Sequence, residues 1–382
     1  MYGAYFDYFQ GPFATLRSDD LWKIKRKEYN TFLKRSCVDN DFYTTFLKCS
    51  DKLINNMLAS AAAADLHSLS LGLTQDISLE TLFNFETNLV YHPEVTSVMI
   101  KMIEIGSIIG ANSNILKAVS PILRPIMINL LIGKVAELRN SVLQTSKDSL
   151  LLNKSSPTGH PISTHIASRI EKDNGNDFIL SNELHELFFT SAHTVGSTLG
   201  NAIIFLALLP DIQERAWKEQ YEIFGNDKRD PNIDDLKQMH YLDRFIKEAL
   251  RFLGPPYNGK LATADINVDG ITIPRGTVVI YLMRYMRMDP ENWKNPKAFD
   301  PDRFLEESDT LKYSFTPFGI GLRSCPGVYF ATVLLKITLS KILRRLKLRP
   351  VQKDFRFEDI HYKCCIMTEV ENPPLLQIEE RI

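Results

Sequence analysis

Cysteine is scarce in this chain, with five among 382 residues, at Cys37, Cys49, Cys325, Cys364 and Cys365. None makes the C-x-x-C pairs of a zinc site, and five cannot staple a chain this long. A disulfide scaffold is excluded and a reducing compartment is favoured. An excess of charge of one sign is also missing. Against 45 Lys and Arg stand 46 Asp and Glu, so no overall field points to nucleic acid. No window gives a clean run of eighteen apolar residues; AIIFLALL at 202–209 stops at Pro210. The opening MYGAYFDYFQGPFATLRSDD has no basic start followed by an apolar core, so it reads as neither signal peptide nor membrane anchor. No glycine-rich dinucleotide fingerprint follows a strand, and no internal repeat or low-complexity tract is present.

The remaining composition, 44% hydrophobic and 24% charged, is that of an ordinary globular protein. Residues 20–36 read as a basic helix, and 41–64 and 76–91 as further helices. The apolar stretch 98–137 is broken by Gly106, Gly110, Pro121 and Pro125. From 144 to 178 the chain is rich in Ser, Asn and Lys and reads as a surface loop. A long helix is expected from a cap at Ser181 to Pro210, and another over DIQERAWKEQYEIF, ended by Gly225. Two helical segments follow, halted by Gly254-Pro255-Pro256. The period then changes to strands: INV and ITI around Asp269-Gly270, then TVVIYL. The expected fold class is mainly α with a small β-sheet, in a single domain over 1–382.

The most specific feature is Phe318-Gly319-Ile320-Gly321-Leu322-Arg323-Ser324-Cys325-Pro326-Gly327, or FxxGxRxCxG. Three glycines keep the loop slender enough for backbone to lie against a flat ligand. VYFATVLLKITLSKILRRLKL follows at helical spacing, so the sulfur lies where the loop enters a helix. Unpaired N–H groups there favour a thiolate. Arg323 adds a cation suited to carboxylates. A thiolate beside an anion-binding arginine is what a haem iron needs from its protein ligand. Taken alone, a free cysteine is more often a small buried hydrophobe; five set positions in ten residues outweigh that reading.

This run resembles the haem-binding loop of the cytochrome P450 family, the haem-thiolate monooxygenases. Further signatures follow in the family's order from Trp22 onward, and FDPDRF, KYSFTPFGIG and LSKILRRLKL resemble an insect-type microsomal group related to family four. The resemblance implies the P450 fold, haem b with Cys325 as axial thiolate, and Phe318, Arg323 and Gly327 as parts of its loop. It also implies that Trp22 and Arg26, four apart on one helix face, meet a haem propionate. Lys260 stands where many members carry a propionate-binding Arg. Glu248 and Arg251 form the family's ExxR pair, which Arg303 joins as a structural cluster. On the distal helix Thr194 matches the threonine of the proton-delivery network. His193 stands in place of the adjacent acid, and Ser191 in place of a glycine. As a bare feature, a histidine in an apolar helix is more often a core residue.

The implied function is insertion of one oxygen atom of dioxygen into an apolar substrate such as a lipid, hormone or xenobiotic. Electrons would come from NADPH through a separate flavoprotein reductase. That partner is expected to dock on Lys23, Lys25, Arg26 and Lys27 together with Lys341, Arg344, Arg345 and Lys347. By family position 98–137 is a lid over the substrate entrance with peripheral membrane contact; core helices are the other reading of it. The resemblance places the protein, as a monomer, on the cytosolic face of the endoplasmic reticulum. It also identifies the chain as N-terminally incomplete, without the family's anchor and first helices and strands. A haem-binding remnant without catalysis is the alternative function. A helical interaction protein without haem is a third.

Overall fold

In the computed structural model, residues 20–59, 65–83, 86–92, 96, 178–306, 313–364 and 366–381 are described. The 98–137 segment and 144–177 lie outside them. The helices are α1 (Asp20–Phe32), α2 (Tyr43–Ala59), α3 (Leu66–Phe83), α4 (Phe178–Leu208), α5 (Pro210–Phe224), α6 (Ile233–Gln238) and α7 (His240–Leu253). Strands β1 (Asn258–Leu261), β2 (Ile266–Val268), β3 (Ile271–Ile273) and β4 (Val278–Tyr281) follow, then α8 (Met283–Met288) and α9 (Val328–Arg345). The chain closes with β5 (Leu346–Pro350), β6 (Tyr362–Cys364), β7 (Thr368–Val370) and β8 (Leu376–Glu380). The architecture is mainly helical. Among the described residues the strands form four antiparallel pairs, β1–β4, β2–β3, β5–β8 and β6–β7.

The helix α4 is apolar nearly all round, and such a helix must be buried. Its Thr190–Leu208 stretch, apolar and long enough to cross a membrane by composition, is mostly buried inside the protein. Phe205 near its C-terminal end meets Phe252, Phe299 and Phe357 edge-on, with centroids 6.0, 5.4 and 5.1 Å away. These rings tie α4 to α7 and to the chain before and after α9. On the other side α4 crosses α3 closely. A Cβ added at Gly196 would stand 2.5 Å from Thr74 Oγ1 and 3.0 Å from the Leu71 Cα. Thr74 Oγ1 uses that closeness to donate to the Ala192 carbonyl at 2.8 Å. Gly196→Val should therefore cost about 1–3 kcal/mol by overpacking, read as a lowered urea midpoint with unchanged slope.

Four elements differ from expectation, the first being the helix expected over 20–36, which ends at Phe32. The helix expected at 76–91 starts at Leu66 and ends at Phe83, with only a 3₁₀ turn at Leu89–Tyr91. The cause is Asp76, whose carboxylate accepts from Thr87 Oγ1 and from the N–H groups of Leu89 and Val90. Those bonds fold the following segment back across α3, where Gly72 lets the Val90 backbone approach. The helix expected to start at Ser181 begins at Phe178, which puts Ser181 inside it rather than at its cap. The apolar run Phe178-Ile179-Leu180 carries the helical spacing past a good capping residue. Finally, β1 was not anticipated. It pairs with β4 in the register Leu261 opposite Val278 and Gly259 opposite Ile280.

Candidate functional site: the cysteine loop and the helix α4

The loop before α9 is shaped by its glycines and anchored at both ends. Gly319 and Gly321 have φ of 69° and 72°, conformations that favour glycine. Gly327 has an ordinary φ, and a Cβ there would stand 3.8 Å from the Cys325 sulfur, so neither backbone nor sulfur demands glycine at this position. Cys325 N–H donates to the Phe318 carbonyl at 2.8 Å, closing the loop on itself. Half-buried Phe318 packs on the main core. The helix α9 begins at Val328, three residues after the cysteine.

The Cys325 side chain is reached by solvent on one side. Protein packed on its other sides is nevertheless the largest influence on the thiol and pushes its pKa up, while the Gly327 N–H and the Arg26 charge pull it down. Packing thus outweighs the local features that favour thiolate. A soft metal would deprotonate the sulfur outright.

The first helix meets this loop through two of the expected residues. Arg26 Nη1 donates to the Ser324 carbonyl at 2.5 Å. The Arg323 guanidinium lies over the Trp22 ring, 4.1 Å from its centroid. Lys260 on β1 approaches from the sheet, and partial burial and the like charge of Arg323 lower its pKa. Arg26, Arg323 and Lys260 therefore crowd three cations around one loop. Exposed apolar side chains Ile320 and Leu322 stand on the loop itself, while Leu261, Val278 and Ile280 lie on the face of the β1–β4 pair opposite Lys260. A soft sulfur donor, a cationic rim and the exposed apolar side chains of the loop fit a flat, apolar, dianionic macrocycle with a central metal, which is the chemistry of haem b.

The cluster beneath the loop is assembled in full. Arg251 Nε and Nη2 each donate to Glu248 at 2.8 Å, and Arg303 Nε donates to Glu248 Oε1 at 3.0 Å. Glu248 and Arg251 are 0% exposed, and Arg303 9%. Both guanidiniums also bond the Ala298 carbonyl. Two members escaped sequence reasoning. Trp293 lies under both guanidiniums, 5.1 Å from Arg251 and 5.8 Å from Arg303. Arg287, 1% exposed, donates to the carbonyls of Arg251 and Pro255. Trp293 and Phe304 in turn seat Phe315, with centroids 6.3 and 4.9 Å away, just before the cysteine loop.

On α4 the two candidate residues are directed at different partners. Thr194 Oγ1 donates to the Thr190 carbonyl at 2.8 Å. His193 is 3% exposed, and its Nε2 lies 3.3 Å from Oε1 of Glu369 on β7. Ser191 makes a hydroxyl–hydroxyl bond of 2.8 Å with Ser78 on α3. Glu369 was missed because TEV reads as any short strand. Only the packing of β7 against α4 turns its carboxylate inward.

Burial alone would raise the Glu369 pKa, but hydrogen bonds from His193 and Ser197 and the nearby histidine charges hold it well below the usual carboxylate range. Burial in turn lowers the His67 pKa. Because the folded value lies below the ordinary 4.5, this stabilisation is complete above about pH 4.5 and is lost as pH falls through the folded value. Glu369→Gln should then be less stable than the parent by about 1.5–3 kcal/mol at pH 7. The gap should close in acid, as read by urea unfolding across pH.

The expected electron-donor surface is corrected in one half. Lys341 is buried and paired with Asp51 and Asp230. Arg344 donates to the carbonyls of Asp227 and Arg229 and stacks on Phe224, and Arg345 pairs with Asp51. Lys341 thus holds the fold together, whereas Arg344 and Arg345 on the same helix, and Lys347 on β5, remain partly exposed. Lys25 is also buried and pairs with Glu28. Lys23, Arg26 and Lys27 instead line a cleft of about 660 Å³ with Trp22 and Leu322.

Comparison with known proteins agrees with this chemistry. A family model described as Cytochrome P450 matches residues 3–369. The chain is 34% identical to "Cytochrome P450 4c21" of Blattella germanica over 64% of its own length and 48% of the relative's. It is 32% identical to "Cytochrome P450 3A31" of Mesocricetus auratus, over 50% of its own length and 38% of the relative's. To "Cytochrome P450 2F3" of Capra hircus it is 37% identical, over 44% and 35%. The chain thus spans half or less of the length of these curated relatives.

Proposed function

The chain belongs to the cytochrome P450 family, and we propose that it is a haem-dependent monooxygenase that inserts one oxygen atom of dioxygen into an apolar organic substrate. The observation that carries the reading is the loop around Cys325, with Arg26, Arg323 and Lys260 gathered beside it. Haem held by a thiolate supplies the oxygen-activating chemistry when bound.

The chain's own residues do the rest. Cys325 would hold the iron through its sulfur, to which the Gly327 N–H donates. Arg26, Arg323 and Lys260 would neutralise the propionates, and Trp22 would hold Arg323 in place. The Glu248 cluster, through Trp293 and Phe315, would keep the cysteine loop in position. Thr194, its hydroxyl proton donated to the Thr190 carbonyl, would offer its oxygen as a hydrogen-bond acceptor that orients the proton-delivery network on α4. A flavoprotein reductase, drawing on NADPH, would meet Lys23, Arg26 and Lys27 on α1. Placement on the endoplasmic reticulum membrane follows from the same reading.

The test is haem titration into the purified full chain, followed by turnover of NADPH with purified reductase. Stoichiometric haem, the shifted absorption band of a thiolate-bound ferrous carbonyl, and oxygenated product are expected. Haem uptake without product would favour a haem-binding protein that does not catalyse. Failure to bind haem would overturn the proposal.

A further inference from the structure

The face that α4 turns toward β7 is buried, charged and separate from the cysteine loop. His193 and Glu369 face each other there, both side chains only 4% exposed. Ser197, one turn on from His193, donates to the same Glu369 oxygen at 2.9 Å. Lys363 on β6, one-third exposed, places Nζ 3.6 Å from the other oxygen. His67 of α3 acts on Glu369 through its charge, and Asp65 acts on His67 in turn. Asn201, a further turn along α4, accepts from the Val370 N–H at 2.9 Å and locks β7 in register with the helix. Several donors converging on one buried carboxylate, held by a backbone bond, make a built arrangement rather than a chance surface pair.

We propose that Glu369 is a positioning residue that fixes the tautomer of His193, keeping a hydrogen on Nε2 and leaving Nδ1 as the acceptor nitrogen. This rests on the reading of α4 as the distal helix of a haem-thiolate enzyme. A neutral imidazole carries one N–H, and an ionised carboxylate at Nε2 holds it there. The depressed pKa of Glu369 keeps that carboxylate ionised. The hydrogen held between Nε2 and Glu369 then leaves Nδ1 the acceptor nitrogen of the ring. The acid that the family carries on this helix is thereby replaced by a histidine on the helix and a carboxylate on the neighbouring strand.

Nitrogen-15 labelling of histidine rings in the full chain reads the tautomer directly, with His193→Gln and His67→Gln assigning the signals. The Nε2–H tautomer is expected for His193 in the parent near neutral pH. In Glu369→Leu its preference over Nδ1–H should fall by about tenfold or more, as loss of a charge-assisted hydrogen bond requires. An Nδ1–H ring in the parent, or an unchanged tautomer in Glu369→Leu, would overturn the proposal. Should Glu369→Leu not fold, Ser197→Ala carries the test. With one donor fewer on that oxygen, the His193 Nε2–H proton should move downfield, and an unmoved signal counts against the assignment. Peroxide released per NADPH should rise alike in Glu369→Gln and His193→Ala and no further in the double variant. A side chain that only packs would lower the melting temperature without moving either readout. The ferrous-carbonyl band of the parent separately tests the haem-thiolate reading, because the ring-nitrogen measurement needs no haem.

Discussion

Cys325→Ala is expected to abolish the shifted absorption band of the ferrous carbonyl protein. The haem-retention loss should be nearly complete, since no other described cysteine can reach the loop. Cys37 and Cys49 are buried in the core, and Cys364 lies on β6. Alanine removes the sulfur while the loop's own support is untouched: the Cys325 N–H still donates to Phe318, and Gly319 and Gly321 keep their turns. A folding defect can therefore be told from a ligand defect by melting temperature. Cys364→Ser serves as the control and should keep the full band. A folded, haem-loaded Cys325→Ala protein with the band intact would remove the axial-ligand assignment. Alkylation offers a second check. Because burial raises the thiol pKa, iodoacetamide should label Cys325 slowly in the haem-free chain at neutral pH.

Glu248→Ala should yield apoprotein or aggregate rather than a slow enzyme. It would strip a fully buried carboxylate from between two guanidiniums, one of them with no exposure at all. Breaking a buried ion pair by removing one partner costs roughly 3–5 kcal/mol, because the remaining charge is left uncompensated. Here the remainder is two like charges, and the Asp300 N–H loses its acceptor as well. That loss is comparable with the whole stability of many domains, about 5–15 kcal/mol. Its effect should pass along Trp293 and Phe315 to the cysteine loop, so haem retention should fail first. Arg303→Lys should be milder than Arg251→Lys, since Arg303 sits at the rim and Arg251 makes two bonds to Glu248 in the interior. Co-purified haem per chain and the soluble fraction decide the matter. A soluble, haem-replete Glu248→Ala protein with the parent's spectrum would contradict it.

What the sequence determined by itself was whatever chemistry is written in adjacent residues. FxxGxRxCxG needs no partner from elsewhere to be legible: its glycines set two left-handed turns, and its cysteine follows at a set distance. Glu248 and Arg251 were legible because a helix brings i and i+3 together. Most helices followed from periodicity and from stops such as Gly225 and Gly254. The tertiary structure alone decided where charge ends up. Lys341 and Arg344 look like solvated cations in a basic run, yet α9 carries them against Asp51, Asp230 and the carbonyls at 227–229. Glu369 looks like one more acid near the C-terminus, yet it faces His193 across 176 positions because β7 packs on α4. The end of α3 was likewise decided by Asp76 reaching forward to Leu89 and Val90. The physical reason is common to all three. A charged side chain carries no local mark of burial, and its worth depends on which partner the fold delivers to it.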